Sequence, residues 1–92
     1  TVLNEAMGIG TGNLSLQEML LGIGGKVLEK RRSKGLNQGE LATLAGVDRA
    51  YISLVENGKQ NLTMAALFKL SEALGTSVNS LMSFSSEYRI DQ

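Results

Sequence analysis

QGELATLAGVDRAYISLVEN, residues 38–57, decides the reading of this chain. Two short apolar stretches flank Gly46. Leu41, Ala45, Val47, Ile52 and Val55 fall where two short helices would face each other and a core. Ala42 is small where the helices would cross, which lets their backbones approach. Gly46 stands where a sharp inter-helix turn wants positive φ, and glycine adopts that without a steric penalty. The second of these helices has a different outer face. Arg49, Ala50, Ser53, Leu54 and Asn57 fall there, mostly short or polar. An oily face to hold the helix and a slim face to reach base edges are what a rod in a DNA major groove requires.

Helix punctuation extends the pattern on both sides. Ser15-Leu16-Gln17-Glu18 reads as a capping box. Leu16, Leu20, Ile23 and Val27 then share one helical face. Gly22, Gly24 and Gly25 each weaken that helix by about 1 kcal/mol relative to Ala. They predict a late start or a close approach to a neighbour. Lys34-Gly35 ends it. Asn37 is the expected cap of a second helix, Gln38 to Ala45, and Asp48 of a third, Arg49 to about Asn57. Thr63 caps a fourth, with Met64, Leu67, Leu70 and Leu74 on one face and Gly75 after it. Ser77 caps a fifth, from Val78 to about Ser83. The methionines at helical spacing are expected in the core. No segment alternates at period two long enough for a strand. The expected organisation is a flexible Gly-rich arm over residues 1–14, an all-α five-helix domain over 15–84 and a tail over 85–92.

Composition narrows the function. Of 92 residues, 42% are hydrophobic but only 4% aromatic, and Pro, Cys and His are absent. Disulfides, thiolate or imidazole metal sites, and Cys-His or Ser-His catalysis are thereby excluded. The carboxylates are scattered, without a pairing for acid–base work or a Ca²⁺ loop. No enzyme activity, cofactor or metal is expected. Gly22-Ile23-Gly24-Gly25-Lys26 is not a P-loop, because Leu20 replaces the first Gly, Val27 follows the Lys and no strand precedes. Without a secretory signal, the sequons at Asn13 and Asn61 carry no weight. No apolar run spans a membrane, so a soluble, cytoplasmic protein is the expectation. A chain this short buries roughly 60–65% of its unfolded surface, which favours help from a second copy.

The net charge of zero hides an asymmetry. Between Lys26 and Lys69, eight basic residues stand against four acidic ones, and the flanks carry one against five. The central block attracts a polyanion and the ends do not. The simpler reading of Lys30 to Lys34 is a solvated helix end, where cations suit the dipole.

Residues 23–82 resemble the lambda repressor and Cro-like (XRE) family of helix-turn-helix transcriptional regulators. The resemblance rests on Ile23-Gly24, Val27, Arg31, Gly35-Leu36-Asn37-Gln38, Glu40-Leu41-Ala42, Ala45-Gly46-Val47, Tyr51-Ile52-Ser53, Val55-Glu56-Asn57-Gly58-Lys59 and Leu67 to Gly75. The run Asp48 to Ser53, with Asn61-Leu62-Thr63, also resembles the controller proteins of restriction–modification systems. The resemblance implies a five-helix domain binding double-stranded DNA as a homodimer. It implies base contacts from Arg49, Ala50, Ser53 and Leu54. It implies backbone contacts from Gln38, Tyr51, Asn57, Lys59, Gln60 and Asn61, and a dimer interface at Leu81, Met82 and Phe84.

Three departures stand out: Lys30 replaces an apolar residue, Asn61-Leu62 replaces Asn-Pro, and Leu54 replaces a polar reader. Each assigned residue also has a plainer alternative. Arg49 and Lys59 are otherwise solvated charges, Gln38 a helix-start residue, Asn57 a helix C-cap and Tyr51 a cover on the core edge. Asp48 is most simply a cap, and Glu56 a local pairing partner. The rival function is a protein-docking helix-turn-helix module, antitoxin-like or polymerase-associated, with little DNA affinity of its own.

Overall fold

The computed structural model describes residues 14–83. They form five helices and no strand: α1 (Leu16–Ser33), α2 (Gln38–Ala45), α3 (Arg49–Glu56), α4 (Met64–Leu74) and α5 (Val78–Leu81). The expected all-α fold is therefore the observed one. Most of the expected arm, the tail and Phe84 lie outside the described residues. Leu14, assigned to the arm from sequence, packs against the core.

Four helices start as their cap residues dictate. Ser15 and Glu18 exchange reciprocal bonds, each 3.0 Å, between side chain and backbone N–H. Asn37 and Glu40 do the same at 2.7 and 2.8 Å. The Thr63 and Ser77 hydroxyls accept from the N–H of Ala66 and Ser80. Such a cap contributes roughly 1 kcal/mol. The expectation for Asp48 needs correction. It holds the N-cap position of α3, yet its side chain makes no capping bond. Its backbone carbonyl opens the helix by accepting from Tyr51 and Ile52, and the residue is exposed.

The glycines of α1 do not delay its start; they let it approach α3. Gly22 and Gly24 are buried. A Cβ on Gly24 would fall inside the contact radius of the Val55 carbonyl oxygen and 2.9 Å from that of Glu56. Both obstacles are backbone, so neither yields cheaply. Gly24→Ala is expected to lower stability by about 1–3 kcal/mol, although Ala is the better helix former. Urea unfolding measures it. An unchanged midpoint would refute the close approach.

Eleven apolar residues from all five helices meet in one core. Ile23 and Val27 come from α1, Leu41, Ala42 and Ala45 from α2, and Ile52 and Val55 from α3. Leu67, Leu70 and Leu74 of α4 and Leu81 of α5 complete it. Leu16 and Met64 depart from expectation at 63% and 66% exposed. Each is the first residue of its helix. Met82 is exposed and Met19 only partly buried, so the methionines are not core residues as a group. α5 ends at Leu81, short of the expected Ser83.

Candidate nucleic-acid interface

The turn between α2 and α3 has the predicted geometry. Gly46 is left-handed at φ 73°, and the Val47 N–H reaches back to the Ala42 carbonyl at 2.9 Å. α2 stops abruptly and α3 departs with Ile52 and Val55 driven into the core. Its opposite side is open. Arg49, Ala50 and Leu54 are exposed and Ser53 is half-buried, as the periodicity predicts. Leu54 is 41% exposed, an apolar group presented outward. The Arg49 Cδ lies 3.9 Å from where a Gly39 Cβ would stand, near the first turn of α2.

A buried polar cluster lies behind α3. Arg31 Nε donates to Glu56 Oε2 at 2.6 Å and Arg31 Nη2 to Oε1 at 3.1 Å. Arg31 Nη1 donates to the Leu36 carbonyl at 2.8 Å. Gln38 Nε2 donates to Glu56 Oε1 at 3.0 Å. The Arg31 and Glu56 side chains are only 10% and 5% exposed. Bonding to Glu56 raises the Arg31 pKa above its ordinary value, against the opposing effect of burial. The guanidinium therefore stays charged. Glu56 is thus paired inside the fold, but with partners 25 and 18 residues away rather than with the local neighbour expected. Its carboxylate is neutralised before it can repel a polyanion.

The cluster also separates the cations of Lys30 to Lys34, which are not all solvated at a helix end. Arg31 is committed inside the fold. Lys34 Nζ lies 3.3 Å from where a Gly75 Cβ would stand, at the C-terminus of α4. The negative end of that helix favours a cation there. Lys30 sits half-buried at the margin, and Arg32 is exposed. The sequence did carry a signal for Arg31. It follows Val27 by four residues on the apolar face of α1, where a charge needs a buried partner.

The remaining predicted contacts divide by what already holds them. Lys59 and Asn61 are exposed in the loop after α3. Gln60 Nε2 donates to the Asn61 carbonyl at 3.2 Å. Asn57 turns back on its own helix, its Nδ2 donating to the Ser53 carbonyl at 2.8 Å. That is the plainer alternative, a helix-end residue. Tyr51 is half-buried against the core and lines a notch of about 230 Å³ with Val47, Thr63, Lys69 and Leu70. Burial raises the pKa of its phenol, so the hydroxyl stays protonated. Gln17 Nε2 donates to the Gly58 carbonyl at 3.0 Å and ties the loop to α1. Of the dimer candidates, Leu81 is 0% exposed and offers no surface, because it completes the core. Met82 is exposed, and Phe84 lies outside the described residues.

Two helices joined by a glycine turn, the second anchored on one side and open on the other, define a helix-turn-helix domain. A family model described as Helix-turn-helix matches residues 27–81. The chain belongs to the XRE-type helix-turn-helix family of DNA-binding transcriptional regulators. It is 33% identical over 69 residues to control protein C.MunI of Mycoplasma sp, covering 74% of this chain and 93% of that protein. An HTH-type transcriptional regulator of Sinorhizobium fredii, y4dJ, is 38% identical over 55 residues, 60% of this chain and 71% of its own length. Among solved structures, the restriction-modification controller protein C.AhdI from Aeromonas hydrophila superposes with a TM-score of 0.70 at 35% identity. That match covers 74% of this chain and 99% of C.AhdI.

Proposed function

We propose that this chain represses transcription by binding a palindromic operator as a homodimer, with α3 in the major groove. The observation that carries the reading is the two-sidedness of α3. Ile52 and Val55 are sealed in the core while Arg49, Ala50 and Leu54 face solvent. Arg49 would read guanine through a guanidinium fork, and Leu54 would meet a thymine methyl. Ala50 and Ser53 complete the reading face. Lys59, Gln60, Asn61, Tyr51 and the second N–H of Gln38 would hold phosphates and set register. Asn57 contributes less, because one of its amide hydrogens is spent on α3. Met82 and Phe84 would meet their counterparts across the two-fold axis, with Leu81 supporting them from the core. The two α3 helices would then lie about 34 Å apart. The names of C.MunI and C.AhdI support the controller-like version of this role.

Selection of bound sites from random duplexes tests the proposal, and a recovered palindrome is the expected result. Lys59→Ala is expected to weaken binding to every sequence and to reduce the salt slope by about one unit. Affinity titrations at several salt concentrations measure it, and an unchanged slope removes Lys59 from the phosphate contacts. The zero net charge favours the rival protein-docking role. Under that rival, retention on non-specific DNA would be weak even at low salt.

A further inference from the structure

The base-reading helix and the phosphate-contacting helix are joined by one buried carboxylate. Glu56 is the last residue of α3, and Gln38 is the first of α2. The Gly46 turn links the other ends of the two helices. Glu56 accepts twice from Arg31 of α1 and once from Gln38. Arg31 also binds the Leu36 carbonyl in the segment leading into α2. Because Gln38 Nε2 is held by Glu56, the orientation of its amide is fixed. A primary amide has two N–H donors, and only one is used on Glu56.

We propose that Glu56 is a positioning residue that fixes the Gln38 amide for a phosphate and thereby locks backbone register to base register. The idea rests on the DNA-binding reading above. Arg31 completes the device. Its two bonds hold the carboxylate in place and cancel its charge, so Glu56 orients a phosphate-binding amide without repelling the phosphate. A neutral acceptor cannot serve Arg31 and Gln38 equally. An amide at position 56 has a single acceptor oxygen where the carboxylate has two. Arg31, with several donors aimed at the site, would take it, and Gln38 would be released.

The test is a double-mutant cycle on the operator recovered by site selection, with folding followed by circular dichroism. Gln38→Ala and Glu56→Gln are each expected to lower operator affinity by about tenfold. The double variant should be no weaker than Gln38→Ala alone, since both changes remove one contact. Phosphate ethylation interference at the Gln38 contact should fade in Glu56→Gln. A second variant guards against unfolding: Arg31→Met with Glu56→Leu replaces the ion pair by apolar groups and should fold. It too should lose the interference signal. Losses that simply multiply in the cycle would show that Glu56 does not act through Gln38. So would full operator affinity and unchanged interference in the apolar pair. A wild-type chain that selects no operator sinks the DNA-binding reading itself and this coupling with it.

Discussion

Arg31→Ala is expected to remove about 3–5 kcal/mol of stability. The reason is what it leaves behind. Glu56 is 5% exposed at its side chain and would keep a single donor, Gln38, against a full negative charge. The Leu36 carbonyl would also lose its bond. A domain of this size holds about 5–15 kcal/mol in total, so the variant would lose a large share of its stability. Arg32→Ala, one residue on and exposed, is the control and should change stability by no more than about 0.5 kcal/mol. Urea denaturation followed at 222 nm compares the two. Equal, small effects would mean that Arg31–Glu56 behaves as a solvent-screened surface pair.

The contrast between Arg31 and Arg32 also marks how far the sequence alone leads. The turn, the caps at Ser15, Asn37, Thr63 and Ser77, and the buried face of α3 follow from local chemistry. Each involves residues within one or two turns of each other, and sequence spacing reports such neighbours directly. The Arg31–Glu56 pair spans 25 residues, and no local rule joins its members. Spacing from Val27 marks Arg31 as a charge on the apolar face of α1, but only the fold shows that its partner is Glu56. Asp48 shows a different limit. Its position as a cap was legible, but nothing in the spacing tells whether an exposed side chain makes the cap bond, and here it does not. Leu81 fails for a third reason. A short amphipathic helix has an inner and an outer face, and without the packing of α5 on α4 the inner residue is indistinguishable from an interface residue.

Arg49→Ala is the change expected to cost most in recognition while leaving the fold intact. Arg49 is exposed, and no hydrogen bond or ion pair within the described residues employs its guanidinium. Truncation therefore removes nothing from the core, and the unfolding midpoint should hold. A bidentate guanidinium–guanine contact discriminates by about 1–3 kcal/mol. A two-fold operator presents it once per half-site, so the dimer should lose about 2–6 kcal/mol in all. The signature is selective. Affinity for the operator should collapse towards that for random duplex, and site selection repeated with the variant should lose its preference at one position in each half-site. Leu54→Ala provides the comparison, since a methyl contact carries less directional information and should blur one neighbouring position only mildly. Were Arg49→Ala to weaken operator and random DNA by the same factor, the residue would be touching phosphate, and base reading would pass to Ser53 and Ala50. The shape of the guanidinium argues against that outcome, because its planar fork matches the paired acceptors on a guanine edge. Geometry at that fork, more than charge, tells one base pair from another.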